Sequence, residues 1–223
     1  MKGILEKGDG ALTLKSPNRI VLHSPSLKGS MSVEEAISWR RSERRYASGK
    51  LTLDQVSQLM WCAQGITDRR NMLRAAPSAG ATYPLEVYAV VKDGGVEGLE
   101  AGVYHYRPED HSLDLIMRGD VSERLASACL GQSWVREAPL NIVITAIYAR
   151  TTRRYGTRGE RYVHIEVGHV GQNIYLQATA IGLGTVAIGA FYDDEVRKVL
   201  GVPEEERPLY VMPVGISVRR RVA

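Results

Sequence analysis

The strongest constraint on the fold is a long predicted helix that is apolar on two sides. One face carries Val167, Val170, Ile174, Ala178 and Ile181, and a second face carries Ile165, Gln172, Leu176 and Thr179. A helix of this kind must be covered on both sides, so it belongs near the centre of a fold. Gly168 and Gly171 would let another backbone approach closely, which either core packing or a second subunit would explain.

Strand patterns flank this helix along the chain. Leu85 to Lys92 and Leu140 to Ile147 are rich in β-branched and aromatic residues, as covered strands should be. YHYR and SLDLIM flank the turn-like PEDH and predict a hairpin. After Gly182 we expect a strand TVAIG, a helix from Asp193 to Gly201 and a last strand PLYVMPVGI. Helices and strands interleaved without a repeat predict an α+β or mixed α/β class.

Length and composition suit one larger domain. The chain has 223 residues, 44% of them hydrophobic, which is enough for one substantial core. Residues 1–30 mix Gly, Ser, Pro and Lys without a sustained period and are interpreted as an irregular N-terminal arm. Ser32 and Glu35 form a capping-box pattern, so regular structure is expected to begin there and residues 31–223 to form the domain.

Several kinds of protein are disfavoured by simple sequence features. A net charge of +4 is too mild to imply a nucleic-acid partner by itself. Cys62 and Cys129 are too few and too isolated for a disulfide framework or a zinc site, so no metal is predicted. Neither a signal-peptide pattern nor a run of about 20 apolar residues is present. We therefore expect a soluble, cytoplasmic protein that does not contact a membrane.

The stretch SWRRSERRY, residues 38–46, places four arginines around Ser42: Arg40, Arg41, Arg44 and Arg45. Like charges this close together cost free energy unless solvent or a counter-charge compensates them. The stretch is therefore either plain solvated surface at a helix end or a site for a strongly anionic group.

A second basic stretch, RTTRRYGTRGERY, spans residues 150–162. Its arginines and tyrosines could follow a nucleic-acid backbone with stacking aromatics, but a solvated loop also explains them. Elsewhere, GLGTVAIG follows a helix rather than linking a strand to a helix, so the dinucleotide-binding fingerprint lacks its context. There is also no phosphate-binding GxxxxGK[ST] loop and no GxSxG nucleophile motif.

Three segments in one order carry a family resemblance: WRRSERRY, APSAGATYPLEVYAVV and HIEVGHVGQNIYLQATAIGLGTVAIGAF. Together they resemble the nitroreductase-like flavoprotein superfamily and its SagB-type dehydrogenase branch, over about Ser32 to Ser217. WCAQGIT, GVYHYRPEDHSL and QSWVREAPLNIVITA add to the likeness. The resemblance implies a nitroreductase-like α+β fold, with a central, mostly antiparallel sheet flanked by helices and the long helix at a dimer interface. It also implies FMN bound between two subunits.

The resemblance assigns the arginine cluster to the cofactor. Arg40 and Ser42 would hold the phosphate through charge-assisted hydrogen bonds, and Arg41 is grouped with them. Arg44 would approach the N1 and C2-carbonyl edge of the flavin, where a fixed cation favours reduction. The phosphate would then compensate the repulsion among the arginines.

Three other groups of cofactor-binding residues follow from the resemblance. A small-residue loop along the flavin ring and ribityl chain comprises Pro77, Ser78, Ala79 and Gly80. A stretch under the isoalloxazine comprises Ala187, Ile188, Gly189 and Ala190, and the Gly189 amide is the candidate catalytic donor to flavin N5. Arg219 and Arg220 are further phosphate contacts.

Arg154 and Tyr155 occupy the place where azoline-oxidising members of the branch carry a Lys-Tyr pair that assists proton removal. Arginine stays protonated and is a poor general base, which argues against azoline oxidation. Tyr155 is kept as a catalytic candidate, either as a proton donor or as a substrate contact.

The leading expectation is a homodimeric, FMN-dependent oxidoreductase with a ping-pong mechanism. NAD(P)H would reduce the flavin, and a nitroaromatic, a quinone or a similar small acceptor would then reoxidise it. A second hypothesis is a SagB-type dehydrogenase or oxidase that acts on a peptide azoline. The third is a non-enzymatic basic protein that binds nucleic acid with an affinity that falls steeply with salt.

Overall fold

The computed structural model describes residues 14–16 and 18–219. The helices in this part of the chain are α1 Val33–Trp39, α2 Leu53–Gln64, α3 Ser122–Ala128, α4 Ser133–Glu137, α5 Ala149–Tyr155, α6 Arg158–Ala180 and α7 Asp193–Leu200. The strands are β1 Leu14–Ser16, β2 Arg19–Val21, β3 Tyr46–Ala47, β4 Ile66–Asp68, β5 Leu73–Arg74, β6 Leu85–Val91, β7 Gly102–Arg107, β8 Ser112–Arg118, β9 Leu140–Ile147, β10 Leu183–Thr185 and β11 Glu206–Ser217. A short 3₁₀ helix spans Ala79–Ala81.

Nine of these strands form one sheet in the order β1-β2-β8-β7-β6-β9-β11-β10, with β3 also paired to β11. The pairs between named strands of this sheet are antiparallel. Strands β4 and β5 form a separate small hairpin. The predicted fold class, an α+β fold with a mostly antiparallel central sheet flanked by helices, is confirmed.

The sheet is covered on both faces, which explains why its central strands are apolar at almost every position. On β6, Val87 and Ala89 pack into a core with α2 and α6. Tyr88 and Val90 point the other way, into a second core with α3, α4 and α7. Alternate residues of a strand face opposite sides, so one strand contributes to two cores.

Local sequence signals set the ends of the first two helices. The Ser32 side chain caps the Glu35 amide while the Glu35 carboxylate accepts from the Ser32 amide. Thr52 and Gln55 make the same reciprocal pair at the start of α2. The capping box predicted at Ser32 is confirmed, and α2 ends at Gly65.

Among the described residues, one apolar face of α6 is buried and the other is partly exposed. Val167, Val170 and Ile174 are buried against the sheet. On the other side, Ile165 is 49% exposed. Gly171 lies against the Tyr210 ring, whereas a Cβ added at Gly168 would meet no atom within 4 Å. Gly171 therefore serves close packing in the core, and Gly168 lies on the more exposed side of α6.

Three sequence expectations need correction. Regular structure begins before Ser32, because β2 pairs with β8 and extends the sheet. The TVAIG strand ends at Thr185, because the Ala187 amide donates to the Tyr175 hydroxyl instead of to a strand, and Ile188 then pairs with Val211 as an isolated bridge. The segment around Tyr155 is helical rather than a loop, as α5 is continued after a short break by α6.

The two cysteines, Cys62 and Cys129, are buried and free. Burial raises the pKa of both thiols, that of Cys129 to about 12, so both are small core residues rather than nucleophiles. In the described ranges, no group of three or more His, Cys, Asp or Glu residues could hold a metal ion. The helices described here include none that is long and apolar enough to cross a membrane.

Candidate functional site

Tyr175, on α6, joins two of the segments singled out from the sequence. Its hydroxyl accepts a hydrogen bond from the Ala187 amide at 2.7 Å and lies 3.0 Å from the Ser42 hydroxyl. The guanidinium carbon of Arg40 lies 5.2 Å from the centroid of the Tyr175 ring. One side chain therefore fixes the start of the arginine cluster beside the 187–190 segment.

Backbone pairing supports the same arrangement. Ser42 forms a parallel bridge with Thr185, and the Glu43 amide donates to the Thr185 carbonyl at 2.9 Å. The chain at residues 42–43 thus runs beside the end of β10, immediately before residues 187–190. Ile188 is anchored to Val211 by two backbone hydrogen bonds of 2.9 and 3.0 Å.

Gly189 is the open point of this segment. It is exposed, and a Cβ added there would meet no atom within 4 Å. Among the described residues, its amide donates no hydrogen bond. The neighbouring Ala190 carbonyl is held by the Gln132 side-chain amide at 3.1 Å. The segment is therefore fixed on both sides of an exposed glycine whose amide has no partner among the described residues.

The arginines of the cluster have different surroundings. Arg41 donates to the Ser38 and Arg40 carbonyls, at 2.9 and 2.7 Å, and so caps the end of α1. Arg44 lies over Trp134, with 5.6 Å from its guanidinium carbon to the ring centroid. In the part of the chain that the structure describes, neither Arg40 nor Arg44 is paired with a carboxylate. Their positive charge is uncompensated.

Arg219 lies beside the segment that carries the arginine cluster. It lines a small cavity of about 50 Å³ together with Trp39 and Glu43. The Glu43 carboxylate accepts from the Ser217 hydroxyl, at 2.9 Å to its nearer oxygen, which ties the cluster to the end of β11. Arg220 lies outside the described residues.

Pro77, Ser78, Ala79 and Gly80 form a separate group with Arg154 and Tyr155. Arg154 donates to the Gly80 carbonyl at 3.2 Å. Gly80 has φ +59°, and a Cβ there would collide with the Tyr155 hydroxyl, so only glycine fits. Among the described residues, no hydrogen bond, ion pair or ring contact joins this group to Arg40, Ser42 or residues 187–190.

Glu166, which the sequence reasoning did not select, lies buried beside this loop. It is 2% exposed, and its Oε1 has no hydrogen-bond partner in the described structure. Burial is the main cause that raises its pKa, to about 7, while Ser78, Arg74 and Gln64 oppose the rise. One sequence signal was available: an acidic residue stands directly beside Val167 on the otherwise apolar buried face of α6.

A larger cavity, of about 650 Å³, lies elsewhere. It is lined by residues 26–29 and 31–33 with parts of α2 and α6, including Trp61, Asn173 and Leu176. None of the cofactor-binding residues predicted from the sequence lines it. The volume of a cavity in one chain therefore does not identify the candidate site. The site is defined instead by free donors and unpaired cations.

The fold and these segments place the chain in a known family. The Nitroreductase family profile matches residues 37–216, and the chain belongs to that family. It is thus a nitroreductase-family oxidoreductase, which confirms the resemblance drawn from the sequence.

Relatives agree with this assignment. A protein of Methanocaldococcus jannaschii that is called a nitroreductase is 51% identical over 188 residues, covering 84% of this chain and 92% of its own. The microcin B17-processing protein McbC of Escherichia coli is 27% identical, covering 90% of this chain and 77% of its own. A crystal structure from Ralstonia eutropha, also called a nitroreductase, has a TM-score of 0.79 at 26% identity and covers 98% of this chain and 97% of its own.

Proposed function

We propose that the protein is an FMN-dependent oxidoreductase that binds the FMN phosphate at Arg40 and Ser42. The observation that carries the proposal is the arrangement around Tyr175, where unpaired cations lie beside a fixed segment with a free amide. A dianionic phosphate suits such a set of donors, and guanidinium groups bind phosphate through charge-assisted hydrogen bonds. The residues present therefore fit this cofactor.

Each residue of the site would have a different role in binding FMN. Arg40 and Ser42, with Arg219 nearby, would hold the phosphate, and Arg44 would place its cation at the pyrimidine edge of the flavin. The Gly189 amide would donate to N5, and residues 187–190 would support the ring. Bound FMN would supply the redox chemistry, accepting hydride and passing electrons to an acceptor. Arg41 is assigned to the cofactor site with them, although its guanidinium contacts the end of α1.

A homodimer would complete the site. Loop residues 77–80 are the other predicted flavin contacts, and they lie with Tyr155 apart from the Arg40 group in one chain. A second copy could bring its own loop to the first copy's cations. Val33, Ile37 and Ile165 are 65, 56 and 49% exposed, which fits a contact surface on α1 and the more exposed side of α6.

NAD(P)H is the proposed electron donor, and a nitroaromatic, a quinone or a similar small molecule is the proposed acceptor. Both would use one face of the flavin in turn, so the mechanism would be ping-pong. Tyr155 is the candidate proton donor or substrate contact, because its hydroxyl lies against the loop at Gly80.

A second candidate function is supported by the likeness to McbC, whose name gives it as a microcin B17-processing protein. It is dehydrogenation of a peptide azoline by a SagB-type reaction. Arg154 lies where a lysine would act in that reaction, and its guanidinium instead binds the Gly80 carbonyl. An arginine that stays protonated cannot remove a proton, so reduction of a small acceptor is the better-supported function.

Anaerobic stopped-flow mixing separates the candidates. With excess NADH or NADPH, we expect rapid bleaching of the flavin and parallel lines in two-substrate kinetics. Sluggish bleaching by both nicotinamides, together with turnover of an azoline peptide in oxygen, would favour the SagB-type reaction. A colourless protein that binds nucleic acid and loses affinity steeply with salt would instead support a non-enzymatic role.

Replacing Tyr175 with phenylalanine should weaken FMN binding about tenfold, because one hydroxyl fixes both Ser42 and the Ala187 amide. The measurement is a fluorescence titration of apoprotein with FMN. Tyr192→Phe, at a tyrosine that is 61% exposed, is the matched control and should bind like the wild type. Equal affinities in all three proteins would remove Tyr175 from the site.

A further inference from the structure

Arg150 is the first arginine of the second basic stretch, and the proposed function gives it no role. It lies at the start of α5, where its guanidinium bridges two acceptors. Its Nη1 donates to the Tyr83 carbonyl at 3.0 Å, and its Nη2 lies 2.5 Å from the Glu86 carboxylate. The separate N–H groups of a guanidinium are fixed in one plane, which suits such a bridge. Arg150 therefore ties the end of the turn at residues 78–83 to strand β6.

Glu86 is itself held in place. Its side chain is 14% exposed, and its other carboxylate oxygen lies 2.7 Å from Nε2 of His105 on β7. The His105 ring stacks on Tyr88, with 4.7 Å between the ring centroids. The Tyr88 hydroxyl in turn donates to the buried Glu206 carboxylate at 2.8 Å. A continuous series of contacts therefore anchors Arg150 to the central sheet.

The 78–83 turn has a backbone that needs such support. Gly80, Ala81 and Tyr83 have φ of +59°, +52° and +44°. A residue other than glycine is strained at such a φ and keeps it only where surrounding contacts hold it. The Tyr83 amide closes the turn by donating to the Ser78 hydroxyl oxygen at 3.0 Å. Tyr83 is thus held at its amide from within the turn and at its carbonyl by Arg150.

Two other residues of α5 contact the turn. The Thr151 and Thr82 hydroxyls lie 2.8 Å apart, and Arg154 donates to the Gly80 carbonyl at 3.2 Å. In the described part of the chain, Arg154 has no carboxylate partner, so unlike Arg150 it is not anchored from behind. Hydrogen bonds from a charged donor are stronger than those between neutral groups. The anchored contact of Arg150 should therefore hold the turn most firmly.

We propose that Arg150 is a positioning residue that, anchored by Glu86, holds the Tyr83 carbonyl and so keeps the 78–83 turn closed. The closed turn presents residues 77–80 to the flavin. The flavin part of this proposal rests on the proposed function, whereas the hold on the turn does not.

Hydrogen exchange of the Tyr83 amide tests the hold on the turn without any ligand. Its protection is compared in wild type, Arg150→Met and Arg150→Lys, and it should stay below that of the buried Ile142 amide, so that it reports local opening. Both variants should lose at least about tenfold of the protection, because the strained turn is no longer held. Arg153→Met, at an exposed arginine of the same helix, is the matched control and should behave like wild type.

Arg150→Lys separates geometry from charge. It keeps a positive charge beside Glu86, so it should fold like wild type, but an ammonium lacks the two separate nitrogens that reach Glu86 and Tyr83. Wild-type protection of the Tyr83 amide in Arg150→Lys would show that charge alone is enough and would overturn the bridge.

The same proteins, in their apo forms, are then mixed with FMN and with riboflavin in a stopped-flow instrument. If the turn of the Arg150 variants is closed only about a tenth of the time, their affinity should fall about tenfold. The loss should lie in the association rate, with dissociation unchanged, because the closed turn still makes every flavin contact. It should also be equal for the two flavins, whereas Arg40→Ala should weaken FMN far more than riboflavin.

Three results would overturn the proposal: wild-type protection of the Tyr83 amide in Arg150→Met, an opened turn with unchanged flavin affinity, or a loss confined to the dissociation rate. The last would mean that Arg150 contacts the flavin itself. Lost protection in Arg150→Met, with no FMN binding by any of the proteins including wild type, would instead overturn the proposed function and the flavin part of this proposal.

Discussion

Replacing Arg40 with alanine should weaken FMN binding about 10- to 150-fold, which corresponds to about 1.5–3 kcal/mol for one charge-assisted contact. The guanidinium is half-buried, lies over Tyr175 and has no carboxylate partner in the described residues, so its charge is available to a phosphate. Titrating the apoprotein with FMN and following the quenching of flavin fluorescence gives the dissociation constant.

Arg45→Ala is the matched control for Arg40→Ala. It removes the same charge five positions along the chain, from an exposed residue that lies outside the contacts around Tyr175. Its FMN affinity should stay within about twofold of the wild type at physiological salt, since distant exposed charges are largely screened. Equal losses in the two variants would reduce the effect to general electrostatics and remove Arg40 from the phosphate site.

Replacing Glu166 with glutamine should stabilise the protein at alkaline pH. The folded pKa of about 7 lies above the ordinary value of 4.5, so the folded state binds more protons than the unfolded state between these values. The contribution of Glu166 to wild-type stability is therefore fully present below about pH 4.5 and is lost as the pH rises from there to about 7. Glutamine cannot ionise, so its advantage over glutamate should grow by about 2–3 kcal/mol from about pH 5 to about pH 8.

Denaturant unfolding at several pH values, at fixed protein concentration, measures this advantage. Glu160→Gln on the same helix is the matched control, because Glu160 is exposed and should show no comparable growth with pH. A pH-independent difference between wild type and Glu166→Gln would mean that Glu166 ionises normally in the folded state.

Much of the fold could be predicted because its signals are local. The capping boxes at Ser32 and Thr52, the strand at Leu140 to Ile147 and the two apolar faces of α6 are all encoded within one or two helical turns or one strand. The end of β10 was misplaced because a distant hydroxyl, that of Tyr175, takes the Ala187 amide. The hydrophobic pattern of a strand does not reveal a distant side chain that accepts one of its backbone hydrogen bonds.

The candidate site was only partly predictable for a related reason. The family resemblance selected the segments around Arg40 and Gly189, and the structure shows them side by side. Tyr175 was missed because it is 133 residues from Ser42 in the sequence, and nothing in the pattern of its helix distinguishes it from any other aromatic residue. Glu166 was missed although a buried acid interrupts an apolar face, a signal that can be sought in other sequences.

The proposed FMN site requires that a mononucleotide phosphate neutralise the cations around Ser42. Parallel titrations of apoprotein with FMN and with riboflavin, which lacks the phosphate, test it most directly. We predict one FMN per chain, bound at least about 100-fold more tightly than riboflavin. Equal affinity for the two flavins, or no binding of either, would contradict the account.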